Sequence, residues 1–221
     1  CERIRGLGGT IHLGSPALEV VCGDGRVAGV RTKDGLIAAD AVISTMPTPL
    51  VSQTVPALPE DWKARYDAIE NIGVCCLVFK LKRPVSPHFW VNISDPEIEI
   101  PGIIEFSNLR QLPDTVVFVP YYMPTTHPKF AWPSERLLDE AFGYMRRLNP
   151  ALTEADVIGR HVARLRHAQP VCPPGFASMI PPVQTPIAGL QIADTCFYYP
   201  EDRGISESVR LGREMAERIP S

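Results

Sequence analysis

The stretch Gly189-Leu-Gln-Ile-Ala-Asp194-Thr-Cys-Phe-Tyr-Tyr-Pro-Glu-Asp-Arg-Gly204, continued by Ile205 to Ile219, decides how the chain is read. A short apolar strand, Leu190 to Ala193, ends at an acidic residue; a loop containing Gly204 follows, and then an amphipathic helix. Ile205, Val209, Gly212, Ala216 and Ile219 recur at alternating spacings of four and three, which puts them on one helix face. Charged residues fill the other side, with Arg210–Glu214, Arg213–Glu217 and Glu214–Arg218 one turn apart. Gly212 and Ala216 are small, so this face is expected to be buried and to lie close against whatever it covers. A carboxylate at a strand tip, next to a helix start with free N–H groups, suits a cofactor cradle. An ordinary strand–loop–helix is the alternative, and the pattern alone does not separate the two.

Working outward, residues 10 to 44 form the clearest β region. Thr10 to Leu13, Leu18 to Cys22, Val27 to Lys33 and Leu36 to Ala39 are strand candidates, with hairpin signals at Asp24-Gly25 and Asp34-Gly35. Asp40-Ala-Val-Ile-Ser-Thr45-Met-Pro47 follows, a β-branched strand stopped by proline. Beyond Pro49 the texture changes. Glu60 to Ile72 reads as a helix; Gly73 to Lys82, His88 to Ile93, Ile103 to Ser107 and Val116 to Met123 read as strands between proline-rich turns. Ser134 is expected to cap a helix running to Leu148, stopped by Asn149-Pro150, and Val157 to His167 is a further strand with one wet face. This order predicts an α+β fold: a mixed, largely antiparallel sheet with helices on one side, plus a β-meander and a C-terminal strand–helix. Residues 168 to 188 are a long irregular connection, a kind of loop that is often functional.

Composition narrows the function classes. Apolar residues make up 45% and charged residues 21%, enough for a sizeable core. A net charge of −3 with scattered lysines and arginines argues against nucleic acid as a partner. No apolar run approaches the roughly 20 residues of a membrane span, and no signal peptide is visible. The six cysteines show no metal-type spacing, and Cys75 and Cys76 are adjacent, so on a strand they face opposite ways; all six are read as reduced thiols of a cytoplasmic protein. The five histidines are dispersed, so no metal set is assigned. The chain begins at Cys1 within a glycine-containing turn and reads as a piece of a longer protein.

Three motifs carry a family resemblance: Gly8-Gly9-Thr10-Ile11-His12-Leu13 ahead of the meander, Asp40 to Pro47 after it, and Ile192-Ala193-Asp194 with Gly212 and Ala216 at the end. Together they resemble the FAD-dependent amine oxidase superfamily, the group of protoporphyrinogen oxidases, phytoene desaturases and monoamine oxidases, with UDP-galactopyranose mutases as relatives. Ala193 stands where that family usually has glycine. The resemblance implies that residues 1–47 and 186–221 belong to an incomplete FAD-binding domain, and that 48–185 form an inserted substrate domain. It implies FAD contacts at Ala17 through backbone atoms, at Thr45 and Pro47 near the cofactor, at Asp194 to a ribityl hydroxyl, and at Ile205 and Ser206 through the helix start. No catalytic residue follows from it.

The Gly-x-Gly-x-x-Gly turn that would bind the FAD pyrophosphate does not occur in the sequence. The chain is therefore expected to be the C-terminal part of a flavoenzyme that passes hydride from a small organic substrate to flavin. Its partner would be a missing N-terminal FAD-binding module. Alone, it is expected to hold no FAD, to be inactive, and to self-associate through an exposed apolar face. Two alternatives stay open: a mutase-like flavoenzyme, needing arginines such as Arg110, Arg160 or Arg164 at a diphosphate, and a non-catalytic binding module with the same layout.

Overall fold

Runs of strands are separated by helices in the computed structural model, which describes residues 1–219. Helix α1 (Glu2–Gly6) leads into β1 (Glu19–Gly23), β2 (Arg26–Thr32), β3 (Gly35–Ala38) and β4 (Val42–Ser44). Then come α2 (Val51–Thr54), α3 (Glu60–Asp67), β5 (Asn71–Leu81), β6 (Trp90–Asn92), β7 (Gly102–Glu105) and β8 (Thr115–Met123). The chain closes with α4 (Ser134–Leu148), β9 (Val157–Pro170), α5 (Phe176–Met179), β10 (Leu190–Ile192) and α6 (Ile205–Glu217). It divides into two units, Cys1–Glu70 together with the chain from Pro170 on, and Asn71–Gln169. Helices and largely antiparallel sheets make this an α+β protein, as the residue pattern predicts.

The first unit holds the meander β1-β2-β3 and a separate parallel pair, β10-β4, in which Leu190 to Ile192 face Val42 to Ser44 in register. Asp24 and Gly25 both take positive φ, 51° and 74°, the geometry that closes a two-residue hairpin without splaying its strands. The second hairpin works differently. Lys33 and Asp34 form its loop, Gly35 pairs with Thr32, and the Thr32 hydroxyl accepts from the Asp34 N–H and donates to the Gly35 carbonyl. The core gathers Val20, Val27, Val51, Tyr66, Leu190 and Ile192, so both hydrophobic strands of the parallel pair are covered by this one unit.

The second unit is a five-stranded sheet in the order β6-β7-β8-β5-β9. β5 pairs antiparallel with the whole of β8, from Gly73↔Met123 to Leu81↔Thr115. On β5, Cys75, Leu77, Phe79 and Leu81 are fully buried, and α4 lays Leu137, Leu138, Ala141, Phe142 and Met145 into the same core. Cys75 is buried and Cys76 half-buried, as opposite faces of a strand require.

Four local expectations are corrected. No strand forms at Thr10–Leu13: Gly8 and Gly14 turn the backbone there (φ 84° and 63°), Leu13 is exposed, and no described strand pairs with it; residues 2–6 are instead a short helix. α3 stops at Asp67, because the Ile69 N–H turns in to the Tyr66 carbonyl and Asn71 already starts β5. Pro133, not Ser134, precedes the first turn of α4; the Ser134 hydroxyl accepts from Arg164 Nη1 at 3.0 Å. On α6 the face of Ile205, Val209, Gly212 and Ala216 is exposed, and Leu211 and Met215 are buried instead. These two pack with Ala193 and Tyr198, and Gln191 Nε2 donates to the Met215 carbonyl at 2.9 Å, which sets the helix's rotation.

Candidate functional site

β4 and β10 run parallel, so their C-terminal tips lie side by side, and the sequence places Thr45 to Thr48 after one and Ala193-Asp194 after the other. Asp194 joins the two. One carboxylate oxygen accepts from the Thr48 N–H at 2.6 Å and the other from the Cys196 N–H at 2.8 Å, which caps the short turn Thr195–Tyr198. The turn connects onward to α6: the Tyr198 hydroxyl donates to Ser208 Oγ at 2.9 Å, and that hydroxyl donates to the Gly204 carbonyl at 2.9 Å. No side chain caps α6, and its first residue Ile205 is 86% exposed, so its leading N–H groups stay available.

Behind the carboxylate sits a buried polar cluster that the sequence does not reveal. Thr48 and Tyr66 are fully buried, and neither Thr48 Oγ1 nor the Tyr66 hydroxyl has a hydrogen-bond partner among the described residues. Burial pushes the Tyr66 phenol up, and the Cys196 thiol and Asp194 carboxylate push it the same way. Burial does the same to Cys196, aided by Asp194, so this thiol stays protonated and unreactive. Thr48 could have been suspected from the Thr-Met-Pro-Thr run. Tyr66 and Cys196 look like ordinary core residues in the sequence.

Of the residues expected to touch a cofactor, Thr45, Pro47 and Asp194 meet at this tip. Thr45 is exposed and Pro47 half-buried. Ile205 and Ser206 open α6, in the segment that Tyr198 and Ser208 fasten to Asp194's turn. Ala17 lies exposed in extended chain ahead of β1, and no hydrogen bond ties it to the β4–β10 tip among the described residues.

The sequence profile of a family described as "Flavin containing amine oxidoreductase" matches residues 2–195, most of the chain, including Thr45 to Thr48 and Asp194 but not Cys196 or α6. The chain belongs to this family. No curated protein sequence matches it. Several solved structures share the fold. A protein assigned as a protoporphyrinogen oxidase from Exiguobacterium sp. 255-15 is 18% identical with a TM-score of 0.76, over 98% of this chain and 49% of that one. Putrescine oxidase bound to putrescine is 13% identical with a TM-score of 0.73, over 96% and 50%. Reduced UDP-galactopyranose mutase is 16% identical with a TM-score of 0.59, over 80% and 39%. At these identities the likeness is one of fold, and the chain spans about half the length of the structures it resembles.

Within the amine oxidoreductase fold, the second unit carries charge networks of its own. Arg160 is bound by Asp139 and Glu135 at 2.8 Å each. Arg164 donates to the Phe130 and Trp132 carbonyls and to Ser134 Oγ. Both guanidiniums are thus committed to holding this unit together. Lys129 is buried between Glu99 and Glu140 and lies over the Tyr121 and Trp132 rings, which keeps its ammonium charged despite desolvation. Among the described residues there is no cluster of metal-binding side chains and no helix long and apolar enough to cross a membrane.

Proposed function

We propose that this chain is the C-terminal part of an FAD-dependent oxidoreductase that moves hydride from a small organic substrate to flavin. The observation that carries the reading is the β4–β10 tip of a family member. It offers a half-buried carboxylate whose two oxygens each accept a single N–H, a buried threonine hydroxyl beside it without a partner, and an uncapped, exposed helix start. These groups fit a polyhydroxyl and phosphate-bearing cofactor: Asp194 would accept from a ribityl hydroxyl, and the Ile205 and Ser206 N–H groups would face negative charge. When bound, FAD supplies the hydride acceptor; the protein contributes orientation and electrostatics. Thr45, Pro47 and the backbone of Ala17 are assigned to the same cofactor, and the unit Asn71–Gln169 to the substrate.

A two-stranded parallel pair is an unusual end state, since parallel sheets normally continue until both faces and edges are covered. Together with the exposed face of α6, this supports a partner that completes the sheet, which we take to be an N-terminal FAD-binding module. Without it, the exposed face should draw copies of the chain together. Six free thiols accord with a cytoplasmic protein. Of the three arginines a mutase reading would draw on, Arg160 and Arg164 are already bound by neighbouring groups, which leaves only Arg110 for a diphosphate and makes this the second reading.

The test is spectroscopic. The purified 221-residue chain should be colourless and without oxidase activity, because a few hydrogen bonds of about 0.5–1.5 kcal/mol each cannot offset an association cost of at least about 4 kcal/mol. A longer polypeptide that supplies the phosphate-binding module should copurify with FAD. A yellow isolated chain, or a complete protein with no flavin, overturns the proposal.

A further inference from the structure

At the other end of β4 and β10, about 10 Å from Asp194 at the rise of a three-residue strand, a cavity of about 320 Å³ opens, lined by Arg26, Asp40, Gln184, Gly189, Gln191 and Arg218 among others. This lies within the range of small-molecule sites. Gln191 is 4% exposed, and its Nε2 donates to the Met215 carbonyl at 2.9 Å. A carbonyl can only accept, so the amide orientation is fixed, and Oε1 is left buried with no donor among the described residues. Arg26, Arg218 and Asp40 line the same cavity, yet none forms an ion pair with a described residue. The wall that holds them is stiff. Val27 N–H donates to the Ala188 carbonyl, Ala188 N–H to Gly25, and Val42 N–H to Gly189, all within 2.9 Å. Gly189 has φ +82°, and a Cβ there would meet the Asp40 carbonyl oxygen at 2.5 Å.

We propose that this cavity binds a small zwitterion of the amino-acid class. Two guanidiniums suit one carboxylate, which they can grip in parallel N–H···O pairs. The Asp40 carboxylate accepts from an ammonium group. Charges of both signs that share a stiff wall without meeting are what a ligand carrying both charges would bridge. The site is separate from the candidate flavin tip and does not rest on the flavin reading.

Calorimetric titration of the 221-residue chain with L-alanine, acetate, ethylamine and inorganic phosphate tests it. L-alanine should bind saturably, and acetate, ethylamine and phosphate at least tenfold more weakly. Arg218→Gln, Arg26→Gln and Asp40→Asn, all at exposed positions, should each weaken L-alanine about tenfold with unchanged circular dichroism. Should a variant misfold, the ranking of the four probes on the parent chain decides alone. Absence of saturable L-alanine binding, acetate or phosphate binding as tightly as L-alanine, or folded variants that keep the parent affinity would each overturn the proposal.

Discussion

Asp194 has a structural task before any cofactor is present: it ties the Thr48 amide at the end of β4 to the Cys196 amide after β10. A hydrogen bond to a charged acceptor contributes about 1.5–3 kcal/mol. Asp194→Ala should therefore lower the chain's stability by at least that amount in urea denaturation, and in a flavin-loaded protein weaken FAD retention by roughly tenfold. A variant of parental stability would show that neither bond matters. Glu105 makes a second residue-scale case. It is fully buried, and one oxygen accepts from the Val85 and Ser86 N–H groups at 3.1 and 2.9 Å. The other has no partner, because the nearby Asn108 amide donates to the Ser86 and His88 carbonyls. Burial raises its carboxyl above the usual glutamate range, against the pull of those N–H groups. The folded state then holds this proton more tightly than the unfolded one, so this group's contribution to stability is fully present below the free-glutamate value of about 4.3 and is lost as pH rises through the folded value. Glu105→Gln keeps an acceptor for the two N–H groups and removes the buried charge, so it should match or exceed the parent at pH 8. Glu105→Ala strands the two donors and should cost about 1–3 kcal/mol at any pH. Urea midpoints at pH 5 and pH 8 separate these outcomes, and a Gln variant weaker than the parent at pH 8 contradicts the argument.

At the scale of elements, turns show how far local chemistry reaches. Asp24-Gly25 is legible because both residues sit at positive φ, a requirement the dipeptide advertises. Gly189 is not, since its need comes from the Asp40 carbonyl crossing behind it. Gly25→Ala meets open space and should cost only the left-handed strain of about 1–2 kcal/mol. Gly189→Ala adds a clash with backbone that β4 pairing holds in place, so its loss should be clearly larger. Equal thermal shifts for the two variants would show that the β4–β10 junction yields. The α6 helix gives the complementary lesson. Its apolar residues cover two adjacent faces, and periodicity ranks Ile205-Val209-Gly212-Ala216 above Leu211-Met215. The structure seats the second pair, because Gln191 and Tyr198 fix the rotation from outside the helix.

At the scale of the molecule, the core of the Asn71–Gln169 unit draws all its buried residues from that unit, from Cys75 to Leu152. Residues 71–169 expressed alone should therefore fold cooperatively, with dispersed amide signals in a heteronuclear NMR spectrum; collapsed, broad signals would refute this. The sequence by itself determined the α+β class, most strands of both units, the proline-marked breaks, and the acid at the β10 tip, because these depend on neighbours within a few positions. Hydrophobic alternation, β-branching and turn residues act over just that range. Tertiary structure alone decided that Thr10–Leu13 stays unpaired, which face of α6 is buried, and that Thr48, Tyr66 and Cys196 gather behind Asp194. Those outcomes hang on contacts spanning more than a hundred residues, as Thr48 to Asp194 does, and no local pattern encodes a partner so distant. The Gln191 cavity belongs with them, because its polar groups come from Arg26, Asp40 and Arg218, which only the parallel pairing of β4 with β10 brings to one wall.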